Sequence, residues 1–302
     1  MSASVVMPAG GTVLQWLKRP GDWVAPGEAV VTVAVGGAAH ALPAPAGGVL
    51  AAALVRPGSA VAPGEDLAYI SPAVAGPGGQ RLLPWDHLRL RIAHHMQYSS
   101  NAAAHVTTGV EVDVSRLQSL RRALRERGMP IGLTPFLVRA AAEALLDWPC
   151  LNGQVTPLGL VLPDRVNICV PVDVPGGVDL IVLRDAPYKT VSHLAAELRY
   201  LSALARAGYG GPHISEGGTF TVTNPGSLGS VWGTAVINQP NCAILACQAV
   251  VDRPVALPGG RIEVRPVMNL SLSFDHRALD GVVTLGFLNR VREVVEAANV
   301  PV

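Results

Sequence analysis

The hydrophobic and polar positions divide the chain into two parts of different character. Up to residue 70, short apolar, β-branched runs alternate with turns rich in proline and glycine, which is typical of a small β domain. Beyond residue 82, apolar positions recur with helical periodicity at 88–96, 114–127, 134–146, 191–206 and 283–297. Apolar strands are predicted between them at 166–172, 180–183, 219–223, 243–251 and 267–274. The mixture predicts an α/β (α+β) domain of about 220 residues. Thr134 followed by Pro135 predicts the start of one helix, with Thr134 as its N-cap.

A repeat lies within the first part. Residues 19–28 (RPGDWVAPGE) return as residues 56–65 (RPGSAVAPGE), with eight of the ten positions identical. Proline presets φ and glycine supplies positive φ, so each copy predicts a tight turn that leads into a strand. Two copies of one turn-and-strand unit predict a β-sandwich with internal two-fold symmetry; a generic Pro/Gly-rich β domain is the alternative.

The segment between the two parts has no periodic pattern. Residues 71–80 (SPAVAGPGGQ) contain two prolines and three glycines, which indicates a linker. The predicted organisation is therefore a β domain at 1–70, a short linker at 71–81 and a larger domain at 82–302.

Composition narrows the class of protein. The 302 residues are 49% hydrophobic and 15% charged, with a formal net charge of +1, and contain no basic runs, which argues against a nucleic-acid surface. Apolar stretches are too short to span a membrane and no signal peptide is evident. Four cysteines without CxxC spacing favour reduced thiols, and hence a cytoplasmic protein. No set of metal ligands is predicted, and adjacent His94 and His95 face different directions on a helix.

The first candidate for chemistry is SFDHRALDG, residues 273–281. It follows an apolar strand and precedes an amphipathic helix, which places His276 in a strand-to-helix turn. A neutral imidazole there can take a proton from a hydroxyl or thiol near pH 7. The alternative is that His276 is a polar turn residue and Asp280-Gly281 an ordinary turn.

The second candidate is GGTFTVTNPGSLG, residues 217–229. Thr219, Thr221 and Thr223 alternate with apolar residues and share one strand face. Thr223 lies at the edge of the glycine-rich loop, where its hydroxyl can donate to a developing oxyanion. The loop residues Asn224, Gly226 and Ser227 are predicted to bind substrate. Trp232 is a candidate wall of an acceptor tunnel, with ordinary core packing as its alternative.

Six motifs in order make residues 82–302 resemble the catalytic domain of dihydrolipoyl acyltransferases of 2-oxo acid dehydrogenase complexes. They are LRLRIAHHM (88–96), TPFLVRAAAEAL (134–145), NICVPVDVPGGV (167–178), GGTFTVTNPGSLG (217–229), INQPNCAIL (237–245) and RPVMNLSLSFDHRALDG (265–281). The resemblance implies a chloramphenicol-acetyltransferase-like fold and a homotrimer, or a multiple of trimers, with active sites between subunits. It also implies His276 as general base, Thr223 as oxyanion donor from the neighbouring subunit, and Asp280 as a loop anchor paired with Arg89 or Arg91. Acetyl-CoA or another acyl-CoA is the implied co-substrate.

The first 70 residues resemble a lipoyl domain, which carries its lipoyl group on a hairpin lysine. Only two lysines occur in the chain, Lys18 and Lys189, and Gly37 stands at the expected attachment position. The departure predicts that no lipoate is used.

The preferred interpretation is accordingly an acyl-CoA-dependent O-acyltransferase that acts on a small-molecule alcohol. Free-standing relatives in polyketide pathways point to a hydroxymethyl-tetronate as the acceptor, free or presented by a carrier protein, in antibiotic biosynthesis. Two alternatives stay open. One is a dihydrolipoyl transacylase acting in trans on a lipoyl domain of another chain, and the other is a non-catalytic subunit that organises a complex.

Overall fold

A computed structural model describes residues 3–71, 75–76, 80–81, 85, 87–174 and 177–302. The chain forms two compact units, residues 1–94 and residues 95–302.

Eight strands of the N-terminal unit form two antiparallel sheets of four strands each. They are β1 (Ala3–Val6), β2 (Gly11–Trp16), β3 (Trp23–Val24), β4 (Ala29–Val35), β5 (Ala38–Pro43), β6 (Gly48–Ala53), β7 (Ala60–Val61) and β8 (Asp66–Ser71). One sheet has the order β1-β8-β6-β3 and the other β5-β4-β2-β7. Val13 and Val33 from the second sheet share a buried core with Ile70 from the first, so the unit is a β-sandwich.

The two copies of the sequence repeat have the same backbone conformation. Gly21 and Gly58 have φ of 96° and 86°, and Gly27 and Gly64 have φ of 80° and 81°. In both copies a glutamate side chain accepts from a backbone N–H three residues earlier, as Glu28 does from Ala25. The predicted pair of tight turns and the internal two-fold symmetry are confirmed.

The hairpin between β4 and β5 turns on two glycines. Gly36 and Gly37 have φ of 59° and 84°, which is the pair of left-handed residues that a type I′ turn requires. The turn that would carry a lysine in a lipoyl domain therefore presents bare backbone.

The predicted linker is described in part. β9 (Ala75–Gly76) and β10 (Gln80–Arg81) pair as a short antiparallel ladder. The rest of the linker prediction, residues 72–74 and 77–79, lies outside the described residues. The predicted domain boundaries at 70 and 82 stay a prediction.

A seven-stranded mixed sheet organises the second unit. Its strands are β11 (His105–Asp113), β14 (Ile168–Val174), β15 (Gly177–Leu183), β16 (Phe220–Thr223), β17 (Ala243–Cys247), β18 (Val251–Ala256) and β19 (Ile262–Asp275); β12 (Gln154–Thr156) and β13 (Gly159–Val161) form a separate hairpin. The order is β11-β19-β17-β16-β14-β15, and β18 pairs with the first half of β19. The β14–β16 and β16–β17 pairs are parallel, while the others are antiparallel.

Helices pack against this sheet and enclose the main core. They are α2 (Ser115–Glu126), α3 (Leu133–Asp147), α4 (Val191–Arg206), α5 (Pro212–Ser215) and α6 (Gly281–Ala297). A further helix, α1 (His87–Ala102), crosses the division between the two units. Helix α3 packs between α4 and α6. Phe220 of β16 meets Phe287 of α6 edge to face, with ring centroids 5.6 Å apart. This contact joins β16, which ends at Thr223, and α6, which follows the turn containing His276, to the same hydrophobic core.

Two element predictions need correction. Helix α3 begins at Leu133 with Gly132 as its N-cap, so Thr134 is not the cap; the Thr134 hydroxyl instead accepts a hydrogen bond from Asn224. The strand predicted over 243–251 is two strands, because the chain leaves the sheet after Cys247 and pairs again only from Val251. One strand, β11, was not predicted, because its burial pattern lacks a clean period of two.

Candidate active site

His276 occupies the turn between the last strand and the last helix. Its backbone N–H donates to the Ala104 carbonyl at 2.9 Å, and its ring lies 5.6 Å from the Phe274 ring at an angle of 35°. The side chain is exposed, and within the described part of the chain neither ring nitrogen has a hydrogen-bond partner. The imidazole is therefore available to a substrate.

Asp280, four residues further on, caps helix α6. Its Oδ1 accepts from the backbone N–H groups of Val282 and Val283, both at 3.0 Å. This N-cap fixes where the turn containing His276 ends and the helix begins. The pairing of Asp280 with Arg89 or Arg91 stays a prediction.

The three alternating threonines differ in their surroundings. Thr219 is hydrogen-bonded to Asn152 and Asn167, and Thr221 to Asn241 at 2.7 Å. Both are buried, which makes them structural. Thr223 ends β16 and is half-buried, and no described residue lies within hydrogen-bonding distance of its hydroxyl. That hydroxyl is therefore the one left able to donate to a bound group.

The glycine-rich loop after Thr223 is a short 3₁₀ turn, Pro225–Leu228, held by its own side chains. Asn224 accepts from the Ser227 backbone N–H at 3.2 Å and donates to Thr134 at 2.9 Å, and the Ser227 hydroxyl donates to the Asn224 carbonyl. A Cβ at Gly226 would lie 2.1 Å from the Gln248 carbonyl carbon, so only glycine fits there. Substrate binding by these three loop residues stays a prediction.

Trp232 follows the same loop and is 55% exposed. Its ring covers Gly109 of β11, since a Cβ on Gly109 would lie 2.9 Å from the indole. The neighbouring Val231 carbonyl accepts from Asn269 at 2.8 Å. Trp232 is thus a surface residue against the sheet and not core packing, and its role as a tunnel wall stays a prediction.

The sheet register separates the two residues predicted to share the chemistry. Thr223 pairs with Ala246, and Ala246 pairs with Ser271. His276 lies five residues beyond Ser271 and two strands away from Thr223. With about 3.3 Å per residue and about 4.8 Å between strands, their Cα atoms are about 19 Å apart. One chain therefore does not bring both side chains to the same carbonyl group.

A cavity of about 500 Å³ opens near the His276 end of the sheet. It is lined by Ser100, His105, Thr107, Thr234, Ala235 and Val236. His105 pairs directly with Asp275 in the sheet, which places the cavity beside the strand end that carries His276. Its lining supplies three hydroxyl groups and two aliphatic side chains.

His105 itself is unsuited to act as a base. Its Nδ1 lies 3.2 Å from the Ala103 carbonyl and its Nε2 lies 3.1 Å from the Ile237 backbone N–H. The second contact requires Nε2 to accept and Nδ1 donates to the Ala103 carbonyl, so both ring nitrogens are already engaged. His105 was not predicted from the sequence; the available signal was its place at the start of β11, a strand that the sequence pattern did not reveal.

The described residues contain neither a metal site nor a membrane-spanning helix. Among the described residues, no group of three or more His, Cys, Asp and Glu side chains is placed to hold a metal ion. In the same part of the chain, every helix is too short or too polar to cross a lipid bilayer.

Comparison with known families matches both units. The model described as 2-oxoacid dehydrogenases acyltransferase (catalytic domain) matches residues 77–301. The biotin/lipoyl model, described as biotin-requiring enzyme, matches residues 3–70. The chain belongs to the 2-oxoacid dehydrogenase acyltransferase family, which confirms the predicted resemblance and the acyltransferase class.

Two curated relatives, each about one-third identical to this chain, are named as acyl-transferring components of 2-oxo acid dehydrogenase complexes. The lipoamide acyltransferase component of the branched-chain alpha-keto acid dehydrogenase complex of Bacillus subtilis is 34% identical over 228 residues, 74% of this chain and 54% of the relative. The mitochondrial dihydrolipoyllysine-residue succinyltransferase component of the 2-oxoglutarate dehydrogenase complex of Sus scrofa is 34% identical over 231 residues, 74% and 50% respectively. The chain spans about half the length of these curated relatives.

A solved structure supports the fold. The cubic core of the pyruvate dehydrogenase multienzyme complex aligns with a TM-score of 0.71 at 28% identity, covering 76% of this chain and 97% of that one. The predicted acyltransferase fold with an N-terminal lipoyl-like β domain is confirmed.

One prediction is wrong. The exclusion of lipoate is overturned by the match of residues 3–70 to the biotin/lipoyl family and by relatives named for lipoamide and dihydrolipoyllysine. The hairpin turn of this chain, Gly36-Gly37, nevertheless does not fit a covalently attached lipoyl group, because it offers no amine. The prediction had extended a local departure, the missing lysine at Gly37, to the loss of lipoate from the whole reaction.

Proposed function

We propose that this protein transfers an acyl group between coenzyme A and the dihydrolipoyl group of another chain. The observation that carries the proposal is the exposed His276 imidazole, free of hydrogen bonds to described residues, on the strand-to-helix turn of a chain in this acyltransferase family. Lipoyl-linked acyl transfer is supported by the names of the relatives. Transfer to a lipoyl group on another chain is supported by the Gly36-Gly37 turn, because this turn offers no amine for a lipoyl group of its own.

His276 acts as the general base. It takes the proton from the acceptor thiol, and the resulting sulfur attacks the carbonyl carbon of the acyl-CoA thioester. Collapse of the tetrahedral intermediate breaks the bond to the coenzyme A sulfur, which receives the proton back from the imidazolium. The base is thereby regenerated, and no acyl-enzyme forms.

Thr223 stabilises the oxyanion of that intermediate. Its free hydroxyl supplies a hydrogen-bond donor, and one donor of this kind is worth about 10²–10³ in kcat. Because Thr223 and His276 of one chain are about 19 Å apart, the site combines His276 of one subunit with Thr223 of another. A homotrimer, or a multiple of trimers, provides such pairs of subunits, and the cubic core among the similar structures supports assembly.

The experiment offers a panel of acyl-CoA thioesters to the purified chain. Acetyl-, succinyl- and isobutyryl-CoA are each incubated with free dihydrolipoamide or with a separately lipoylated domain, and products are separated by chromatography and weighed by mass spectrometry. We expect acyl-dihydrolipoamide and free coenzyme A in equal amounts, and loss of both in His276→Ala. If no lipoyl thiol is acylated under any of these conditions, the proposal is wrong.

A second candidate is transfer to the hydroxyl of a small molecule. It is favoured by one observation, the absence of a lysine on the chain's own hairpin. A hydroxymethyl-tetronate, free or bound to a carrier protein, is added to the same assay as a competing acceptor. An acetyl ester on the hydroxymethyl group, without acylated thiol, would favour this candidate.

A further inference from the structure

The residue before His276 is a carboxylate with no exposed surface. Asp275 ends β19 and is fully buried. Its backbone N–H donates to the Cys242 carbonyl at 2.9 Å, which fixes the residue to the neighbouring strand. A buried carboxylate is costly unless its oxygens are hydrogen-bonded to donors, preferably charged ones.

Arg277, on the other side of His276, supplies most of those donors. Its guanidinium forms hydrogen bonds of 2.9 Å from Nε to Oδ1 and 2.6 Å from Nη2 to Oδ2 of Asp275. Its backbone N–H adds a bond of 3.1 Å to Oδ1. This two-point contact gives both side chains a single geometry.

Ala104 joins the same arrangement from the segment that enters β11. Its N–H donates to Asp275 Oδ1 at 3.2 Å, and its carbonyl accepts from the His276 N–H at 2.9 Å. The backbone of His276 is therefore fixed on three sides. Asp275 precedes it, Arg277 follows it, and Ala104 binds it from the opposite segment. Asp280 does not take part in this arrangement, because its Oδ1 caps α6.

We propose that Asp275 and Arg277 form a positioning pair that sets the direction of the His276 imidazole. The inference rests on the proposed function, in which His276 is the base. Neither residue is assigned contact with substrate, so the pair acts on catalysis only through His276. Misplacing a reacting group by about 1 Å can cost about 100-fold in rate.

The test compares Asp275→Asn with Asp113→Asn in the full-length chain. Asp113 is a matched control, because it lies at the other end of the β11–β19 pair and also binds an arginine, Arg265, at 2.7 Å. With acetyl-CoA and dihydrolipoamide, we expect Asp275→Asn to lower kcat by about 10- to 100-fold with little change in KM. Asp113→Asn should keep kcat within about twofold of the wild type.

A second variant covers the case in which Asp275→Asn fails to fold. Arg277→Lys keeps the positive charge but loses the two-point contact, and the side chain is 52% exposed, so the fold is less affected. We expect a fall in kcat at unchanged KM here too. Circular dichroism of each variant reports whether it folds.

A double-mutant cycle separates positioning from a general structural role. If Asp275 acts through His276, adding Asp275→Asn to His276→Ala changes the residual rate by less than about twofold. A loss that multiplies in the double variant would overturn the proposal, as would a wild-type kcat in a folded Asp275→Asn or Arg277→Lys variant. Full activity of His276→Ala alone would instead overturn the base assigned under the proposed function.

Discussion

Thr223 and His276 lie at opposite ends of the central sheet, two strands and about 19 Å apart within one chain. Thr223 follows β16, next to parallel β17, whereas His276 follows antiparallel β19. The topology sends the two strand ends in opposite directions. A catalytic site that uses both residues must therefore draw them from two chains.

Mixed assemblies test this arrangement. Chains carrying His276→Ala and chains carrying Thr223→Val are each expected to be nearly inactive alone. Refolded together in equal amounts, they should regain about a quarter of wild-type activity, because three-quarters of random trimers are mixed and each has one intact site of three.

The control is a chain that carries both substitutions and is refolded alone in the same way. Assembly is verified with two different affinity tags on the parent chains. Mixed assemblies as inactive as their parents would show that the two residues do not meet between subunits.

Removing the hydroxyl of Thr223 should affect rate and not stability. Thr223→Val keeps the side-chain shape and loses the free donor, so we expect kcat to fall by about 10²-fold or more. Thr221→Val is the matched variant on the same strand face, and it removes the hydrogen bonds to Asn241 Oδ1 and from Asn238 Nδ2. That change should destabilise the fold by about 1–3 kcal/mol.

The measurements are steady-state kinetics and urea unfolding of both variants. Thr223→Ser retains a hydroxyl and should recover most of the rate. The opposite result, a stable Thr221→Val with reduced kcat and an active Thr223→Val, would exchange the roles of the two threonines.

Much of this fold could be predicted because its signals are local. The repeated Pro/Gly turns, the helices over 191–206 and 283–297, and the strand-to-helix turn at His276 depend on residues close in sequence. The pairing of β11 with β19 could not be predicted, since it joins residues about 160 positions apart. The Asp275–Arg277 contact was missed for a different reason: two charged residues beside a histidine read as an exposed turn, and only the burial of Asp275 distinguishes them.

The loop after Thr223 should not tolerate a Cβ at Gly226. Gly226→Ala would place a methyl 2.1–2.4 Å from the backbone of Gln248 and Ala249, which cannot give way as a flexible side chain can. We expect a lower melting temperature and a lower kcat, because the clash displaces the loop next to Thr223.

Gly233→Ala is the control in the same segment, where a Cβ would have ordinary contacts of 3.8 Å. Thermal melting and kinetics of both variants form the comparison. Equal behaviour of the two alanine variants would show that the close approach of Gly226 to residue 248 does not constrain the loop.

The buried cysteines should resist alkylation well above neutral pH. Burial raises the pKa of Cys169 to about 11 and of Cys242 to about 12, and it also raises the pKa of Cys247. Since the thiolate is the reactive species, iodoacetamide at pH 9 should leave these three unmodified in the folded protein. Partly exposed Cys150, whose pKa is raised chiefly by burial, should react first. Peptide mass spectrometry after alkylation, with and without urea, measures the modification of each cysteine. Early modification of Cys247 would contradict its burial in β17.

Acid should destabilise the fold through two paired carboxyls, those of Asp275 and Asp113. Burial acts to raise the pKa of each, but hydrogen bonds from Arg277 and Ala104 to Asp275, and from Ser115 and Arg265 to Asp113, outweigh it and hold both pKa values below that of free aspartate. The folded state therefore binds fewer protons than the unfolded state. The stabilisation is complete above the unfolded-state pKa of about 4 and is lost as pH falls through the lower folded-state pKa.

Urea midpoints measured from pH 7 to pH 3 test this sign. We expect little change between pH 7 and about 5 from these two groups, and a steep loss below about 4. Asp113→Asn should start less stable at pH 7 and show a shallower acid loss, because its amide does not titrate. Asp164→Asn, at an exposed position, is the control and should follow the wild-type curve. An acid loss as steep in Asp113→Asn as in the wild type would mean that the Asp113–Arg265 pair does not contribute to the pH dependence.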